Sequence, residues 1–330
     1  MNKRTSIMKA LLVAMTMCLP IYTSVGQTII QQGGDSYDDV YNLGDACYNY
    51  DDYGPVVERK LDLKGFKAIQ NNFSAKICYT PSSKYSVKVS GSEKAIDMMD
   101  FSVNNGTLCI NIKGQYKRKN IKIQKEITLY ISAPELNSIT NRGSLTLQGE
   151  HWQLNNLTID NAGAITLNIK SMECKNLNIE NRGSLNYVDG TVKANSVNLS
   201  SRGATTLKLS FDVKETFQLV NRGSCKFEGK VKANSYVETC SGATNDQLDI
   251  ASENLELNVS GAGKINSTFK GKTVNIHGSG ACNVHMNVDC DKLSVESSGC
   301  ANITVKGTAD NTKIESHGVA KVDASQLNKF

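Results

Sequence analysis

The sequence predicts an all-β chain wound into a parallel β-helix, expected to be right-handed, with coils of 19–20 residues and an atypical β cap at the N-terminal end. The first observation is a glycine register. Asn141-Arg142-Gly143, Asn161-Ala162-Gly163, Asn181-Arg182-Gly183, Ser201-Arg202-Gly203 and Asn221-Arg222-Gly223 place each glycine 20 residues after the last. The series continues at Gly242, Gly261, Gly280, Gly299 and Gly318 with a spacing of 19. The second observation is alternation about each glycine. Offsets −6 and −4 hold Leu157 and Ile159, Leu177 and Ile179, Val197 and Leu199, or Val274 and Ile276; offsets +2 and +4 hold Leu145 and Leu147, Ile165 and Leu167, or Cys282 and Val284. A period of two marks a strand with one buried face. One such unit cannot bury that face alone, but stacked units can. Hairpins need no constant spacing, whereas parallel coils about 4.8 Å apart require one. Glycine at the bend predicts a positive φ there.

Composition agrees. With 26 Gly, four Pro and 39% hydrophobic residues, the 330-residue chain is neither collagen, coiled coil nor wholesale disorder. At 6%, aromatics are too few for a core of bulky side chains, which suits a narrow solenoid.

The elements follow in chain order. Residues 1–26 read as a signal peptide: Lys3, Arg4 and Lys9, an apolar run from Ala10 to Leu19, then Pro20 and small residues before Gln27. That run is too short to cross a bilayer, which takes roughly 20 apolar residues. Cys18 follows the bulky Met17, which disfavours lipidation. The chain is expected to be exported to the periplasm or cell surface, with no transmembrane segment in its mature form. Residues 27–57 form a flexible acidic lead-in, with Asp35, Asp38, Asp39, Asp45, Asp51 and Asp52 among tyrosines and no base. Cation binding, or docking onto the basic body, are its alternative roles.

From 58 to 330 a single β-helix domain is expected, with 58–135 as cap or first coils and 136–330 as regular coils. Solenoids need an atypical end to prevent edge-on association. The runs Gly65-Phe66-Lys67-Ala68-Ile69, Tyr85-Ser86-Val87-Lys88-Val89 and Ile127 to Leu136, followed by Ser-Gly-Ala repeats, resemble the family called putative auto-transporter adhesin, head GIN domain. The resemblance covers roughly 58–330. It implies a right-handed β-helix of exported Bacteroidota proteins, and it brings no ligand or catalytic residues. Arg at 142, 182, 202 and 222 departs from the small-residue turn usual in that family.

Parts for chemistry are few. The four His share no ligand spacing, and neither H-E-x-x-H, G-x-S-x-G nor C-x-x-C occurs. Cys225 and Cys282 at +2, and Cys174 and Cys290 at −9, read as small core residues. Coils this short leave no room for the loops on which functional residues usually sit. No catalytic residue, cofactor or metal ligand is therefore assigned. The expected function is an adhesin-like binding or scaffolding module; the alternative is a polysaccharide lyase or glycosidase on the same architecture.

Two basic features stand out. Arg142, Arg182, Arg202 and Arg222 share one offset, so stacking brings them to one edge as a strip for acidic glycans or other anionic envelope components. The plainer reading is solvated side chains offset by Asp160 and Glu180. Lys117, Arg118 and Lys119 head a second run, read as a solvated hairpin or a secondary anionic grip. Nucleic acid is a poor partner for an exported chain, and the oligomeric state is not encoded legibly. One coil breaks the pattern. At Gly242, the −4 and +4 offsets hold Glu238 and Asp246. The expected resolution is a one-residue slip that buries Val237 and Thr239 instead; the alternative is a bound cation.

Overall fold

The computed structural model describes residues 54–117, 120–123 and 126–328, with two further short strands, Thr28–Ile29 and Cys47–Tyr48. The expected signal peptide, Cys18, most of the acidic lead-in, and Arg118 and Lys119 lie outside the described residues. Both short strands pair with Asn120–Ile123, the first antiparallel and the second parallel.

The body is a β-solenoid of about ten turns. Its first coil is made by Ala68–Asn71 and Ser74–Pro81. After it come 87–92, antiparallel to the earlier strand 56–61, the short helix Glu93–Met98, and the antiparallel pair 99–104 and 107–112, the second of which lies parallel to Ala68–Asn71. The chain continues through Thr128–Ala133, which lies parallel to 76–81. From Ser138 onward each coil pairs in parallel with the one before it. The apolar offsets face inward as the alternation predicts: Leu157, Ile179, Leu207 and Ile276 are all buried.

Each coil turns three corners. In Ala164–Asn181 the buried residues are Ile165, Leu167 and Ile169, then Met172 and Cys174, then Leu177, Ile179 and Asn181. The alternation loses step at 170–171 and again at 175–176, and the glycine turn makes the third corner. In Ala243–Val259 the buried series Thr244, Asp246, Leu248, Ile250, Ser252 runs without a break, and only 253–254 breaks step. A 19-residue coil therefore lacks one corner residue. The loss occurs in two stages. Asp189, at φ 61°, sits where the register shifts between Val188 and Gly190. Lys214 and Glu215 then supply the last extra length at the other corner, before Thr216.

Both stages lie away from the Gly242 turn, so the strands flanking that turn keep their phase. The expected slip does not occur. Glu238 pairs with Leu219 and Leu257, Asp246 pairs with Phe227 and Ile265, and both acids are 1% exposed.

The turn glycines also need correction. Only Gly299 and Gly318, at φ 63° and 73°, have the positive φ expected of the series. Gly183 has none, and glycine is required there because the coils touch. A Cβ on Gly183 would lie 1.9 Å from the Gly163 carbonyl oxygen. That approach is set by backbone bonds on either side: Arg182 N–H donates to Asn161 O at 2.7 Å and Ser184 N–H to Gly163 O at 2.9 Å.

Beneath the turn runs a ladder of buried asparagines. Asn71 donates to Asn141 Oδ1 at 2.9 Å, Asn141 to Asn161 and Asn161 to Asn181, each at 2.8 Å. Each amide also caps a carbonyl of the next coil, as Asn161 does with Ser184 O at 2.9 Å. Where Ser201 interrupts the ladder, Thr205 replaces the usual aliphatic residue. Asn181 donates to Thr205 Oγ1 at 3.0 Å, which donates to Ser201 Oγ at 2.8 Å.

Cys174, Cys225, Cys282 and Cys290 are buried and free. Burial pushes the Cys174 and Cys290 thiols up to about 11, so at neutral pH they are protonated core residues rather than nucleophiles.

Candidate functional site

The glycine turn points the residue before it outward, and coil stacking lines those residues up. Arg202 N–H bonds to Asn181 O at 2.8 Å and Arg222 N–H to Ser201 O at 2.7 Å, which fixes consecutive arginines one coil apart, about 4.8 Å along the axis. Arg182, Arg202 and Arg222 are thus direct neighbours, and Arg142 stands two coils before Arg182, beyond Ala162. All four are exposed. Arg182 pairs with Asp160 at 2.5 Å. Arg202 and Arg222 have no ion pair among the described residues, nor does Glu180. Like charges this close repel, and an anion lying along them would relieve that.

Beside the arginines the face is low. The residue after each glycine is small and exposed: Ser184, Ala204 and Ser224. Two positions on, half-buried Thr166, Asn186 and Thr206 present hydroxyls and an amide. This strip is flat enough for an extended polymer, with charge along one side and hydrogen-bonding groups on the other. Of the second basic feature, Lys117 is exposed.

Two shallow grooves cross other corners. One, of 460 Å³, runs over four coils between Lys230, Asp249, Lys270 and Asp289. Lys270 pairs with Asp289 at 2.9 Å, and its hydrogen bond holds that carboxyl below the usual range. Thr268 donates to Asp249 at 2.9 Å. The other groove, of 450 Å³, lies by Glu135, Glu173 and Lys175. The Glu135 carboxyl is held low by hydrogen bonds from Lys67 and Asn137. Glycoside chemistry wants one carboxyl held protonated, and Asp289 and Glu135 are held the other way.

The interior at Gly242 is a separate polar cluster. Tyr236 Oη donates to Glu238 Oε2 at 2.6 Å, Cys240 Sγ to Glu238 Oε1 at 3.2 Å and Thr244 Oγ1 to Asp246 Oδ2 at 2.8 Å. Burial first, then the charge of Glu238, drives the Asp246 carboxyl well above the usual range. Burial likewise raises the Tyr236 hydroxyl. The sequence marks Glu238 and Asp246 as anomalous. It does not mark Tyr236, Cys240 or Thr244, which read as ordinary inward residues until the register is known.

The chain is similar to several solved bacterial structures. A putative adhesin from Bacteroides fragilis is 18% identical with a TM-score of 0.41, over 82% of this chain and 97% of that one. A putative lipid-binding protein from Parabacteroides distasonis gives 14% identity and 0.39, with the same coverage. A putative adhesin from Parabacteroides merdae gives 13% and 0.39, over 82% and 96%. No curated protein matches. Among the described residues no helix is long and apolar enough to cross a membrane. The family model for the putative auto-transporter adhesin, head GIN domain, matches residues 65–209 and 264–329, well over half of the sequence, and the chain belongs to that family.

Proposed function

We propose that the chain is an exported, non-enzymatic binding module of the cell surface or periplasm, and that its arginine edge holds acidic polysaccharides or other polyanions of the envelope. The observation that carries the reading is the pair Arg202 and Arg222, exposed in adjacent coils and without an ion pair among the described residues. Guanidinium groups bind carboxylate and sulfate through paired N–H donors. A periodic strip matches a periodic ligand, and each repeat of the polymer adds a contact of modest strength. The family's adhesin description supports a binding role, and the low, regular face supports an extended ligand.

The test is a glycan array probed with the mature chain. Retention on sulfated and uronate-bearing glycans above neutral ones is expected. Binding confined to neutral glycans, or none at all, overturns the reading. Release of new reducing ends or unsaturated products from an acidic polymer replaces it with a carbohydrate-active enzyme.

A further inference from the structure

We propose that Glu238, Cys240 and Asp246 form an interior site for one divalent cation of the zinc class, locking the coil at Gly242. The coil at Gly242 places acids and a thiol on its inward face on both sides of the glycine turn. Its −4, −2 and +4 positions are Glu238, Cys240 and Asp246, where the next coil has Leu257, Val259 and Ile265. All three are buried, at 1%, 0% and 1% exposure, and one donor atom from each lies within 4.8 Å of the other two. Cys240 Sγ and Glu238 Oε1 are already 3.2 Å apart. A tetrahedral zinc with ordinary bond lengths needs ligand-to-ligand edges of about 3.3–3.6 Å.

The second observation is how the carboxylate oxygens are used. Tyr236 occupies Glu238 Oε2, and Thr244 occupies Asp246 Oδ2. Asp246 Oδ1 is buried with no hydrogen-bond partner. Each acid thus has one oxygen oriented by a hydroxyl; beyond that, Glu238 accepts from the Cys240 thiol, and the two carboxyls lie within hydrogen-bonding reach of each other. Ligating carboxylates are characteristically held this way by outer hydrogen bonds. Tyr236 is itself fixed, stacked on Phe217 at 5.3 Å and 5°. Buried carboxylates are paired or coordinate metals, and no lysine, arginine or histidine is buried among the described residues.

The donor set selects the ion. One thiolate with two carboxylates suits zinc, whereas calcium and magnesium take oxygen ligands. Binding releases to solvent both the Cys240 proton and the proton that burial and Glu238 hold on Asp246. The resulting site carries one net negative charge, less than a four-cysteine zinc site. The cluster lies within 210–263, between the two segments matched by the family model.

The test refolds the full mature chain from denaturant with zinc or with a chelator. One zinc per chain by mass spectrometry is expected, together with a higher melting temperature than the chelator-refolded protein. Cobalt in place of zinc should give a thiolate-to-cobalt charge-transfer band, absent in Cys240→Ser. The triple variant Glu238→Leu/Cys240→Val/Asp246→Ile copies the next coil, so it should fold without metal and melt at the same temperature in zinc and chelator. The proposal is overturned if the parent carries no zinc and melts identically in both, or if the triple variant retains as much zinc as the parent. A metal-indifferent parent that loses stability as pH rises would show a proton shared between the two acids instead.

Discussion

Glycine and asparagine, two residues apart, hold successive turns together in different ways. Gly183 lets the backbone of one coil rest on the carbonyl of another, and Asn181 joins the ladder beneath it. Gly183→Ala should destabilise by more than the roughly 1–3 kcal/mol of ordinary overpacking, because the added carbon meets backbone rather than a side chain that can turn away. Gly318→Ala meets nothing within 4 Å and has φ 73°. It should cost only the left-handed penalty, about 1–2 kcal/mol. Denaturant melts of the two variants separate close contact from dihedral strain; equal costs would contradict the assignment. For the ladder, Asn161→Ala leaves Ser184 O and Asn181 Oδ1 each short of a donor. A loss of about 2–6 kcal/mol is expected from two such groups. Asn161→Ser should recover part of it, since Ser201 serves at that position and accepts from Asn181 at 3.3 Å.

At the scale of the coil, the offsets of Leu157, Ile179 and Ile276 place them inside, and the two glycine spacings give the coil length. The corners were not legible, because their residues are the polar ones that break the alternation. Lys170-Ser171 and Lys214-Glu215 look like any exposed pair until the strands are stacked. For the same reason the change from 20 to 19 reads in the sequence as a slip at Gly242, although it is made at distant corners. The arginine column was visible because its offset is constant. Its partners were less so, since a bridge from Arg182 reaches Asp160 in the preceding coil while Glu180 makes none among the described residues. Packing also differs along the axis. Residues 164–181 bury a side chain at every second or third position, whereas 315–319 are all exposed and Val319 is 72% exposed. Amide exchange should therefore be slowest in the coils between 164 and 259 and fastest from 312 to 328, since local opening follows local burial. Uniform protection along the axis would contradict this gradient.

For the whole molecule, the solenoid turns a short motif into a long surface. Ten turns repeat the same corner, so a single outward offset becomes a strip whose chemistry can change coil by coil. Arginine occupies it at 182, 202 and 222, serine at 241, 260, 279 and 298. One end of the edge is cationic and the other neutral, a polarity that would orient a bound polyanion along the axis. The arginine edge is tested most directly by the affinity of the parent and of Arg182→Ser/Arg202→Ser/Arg222→Ser for a sulfated polymer, measured across a salt series. These serines are the residues of the later coils, and exposed substitutions of this kind usually change stability by no more than about 0.5 kcal/mol. Parent affinity should fall steeply with salt, because exposed charges are screened over about 8 Å at physiological ionic strength. The triple variant should bind more weakly at low salt, with a shallower salt dependence and an unchanged fold. If it binds as tightly as the parent and with the same salt slope, the arginine edge is not the binding site.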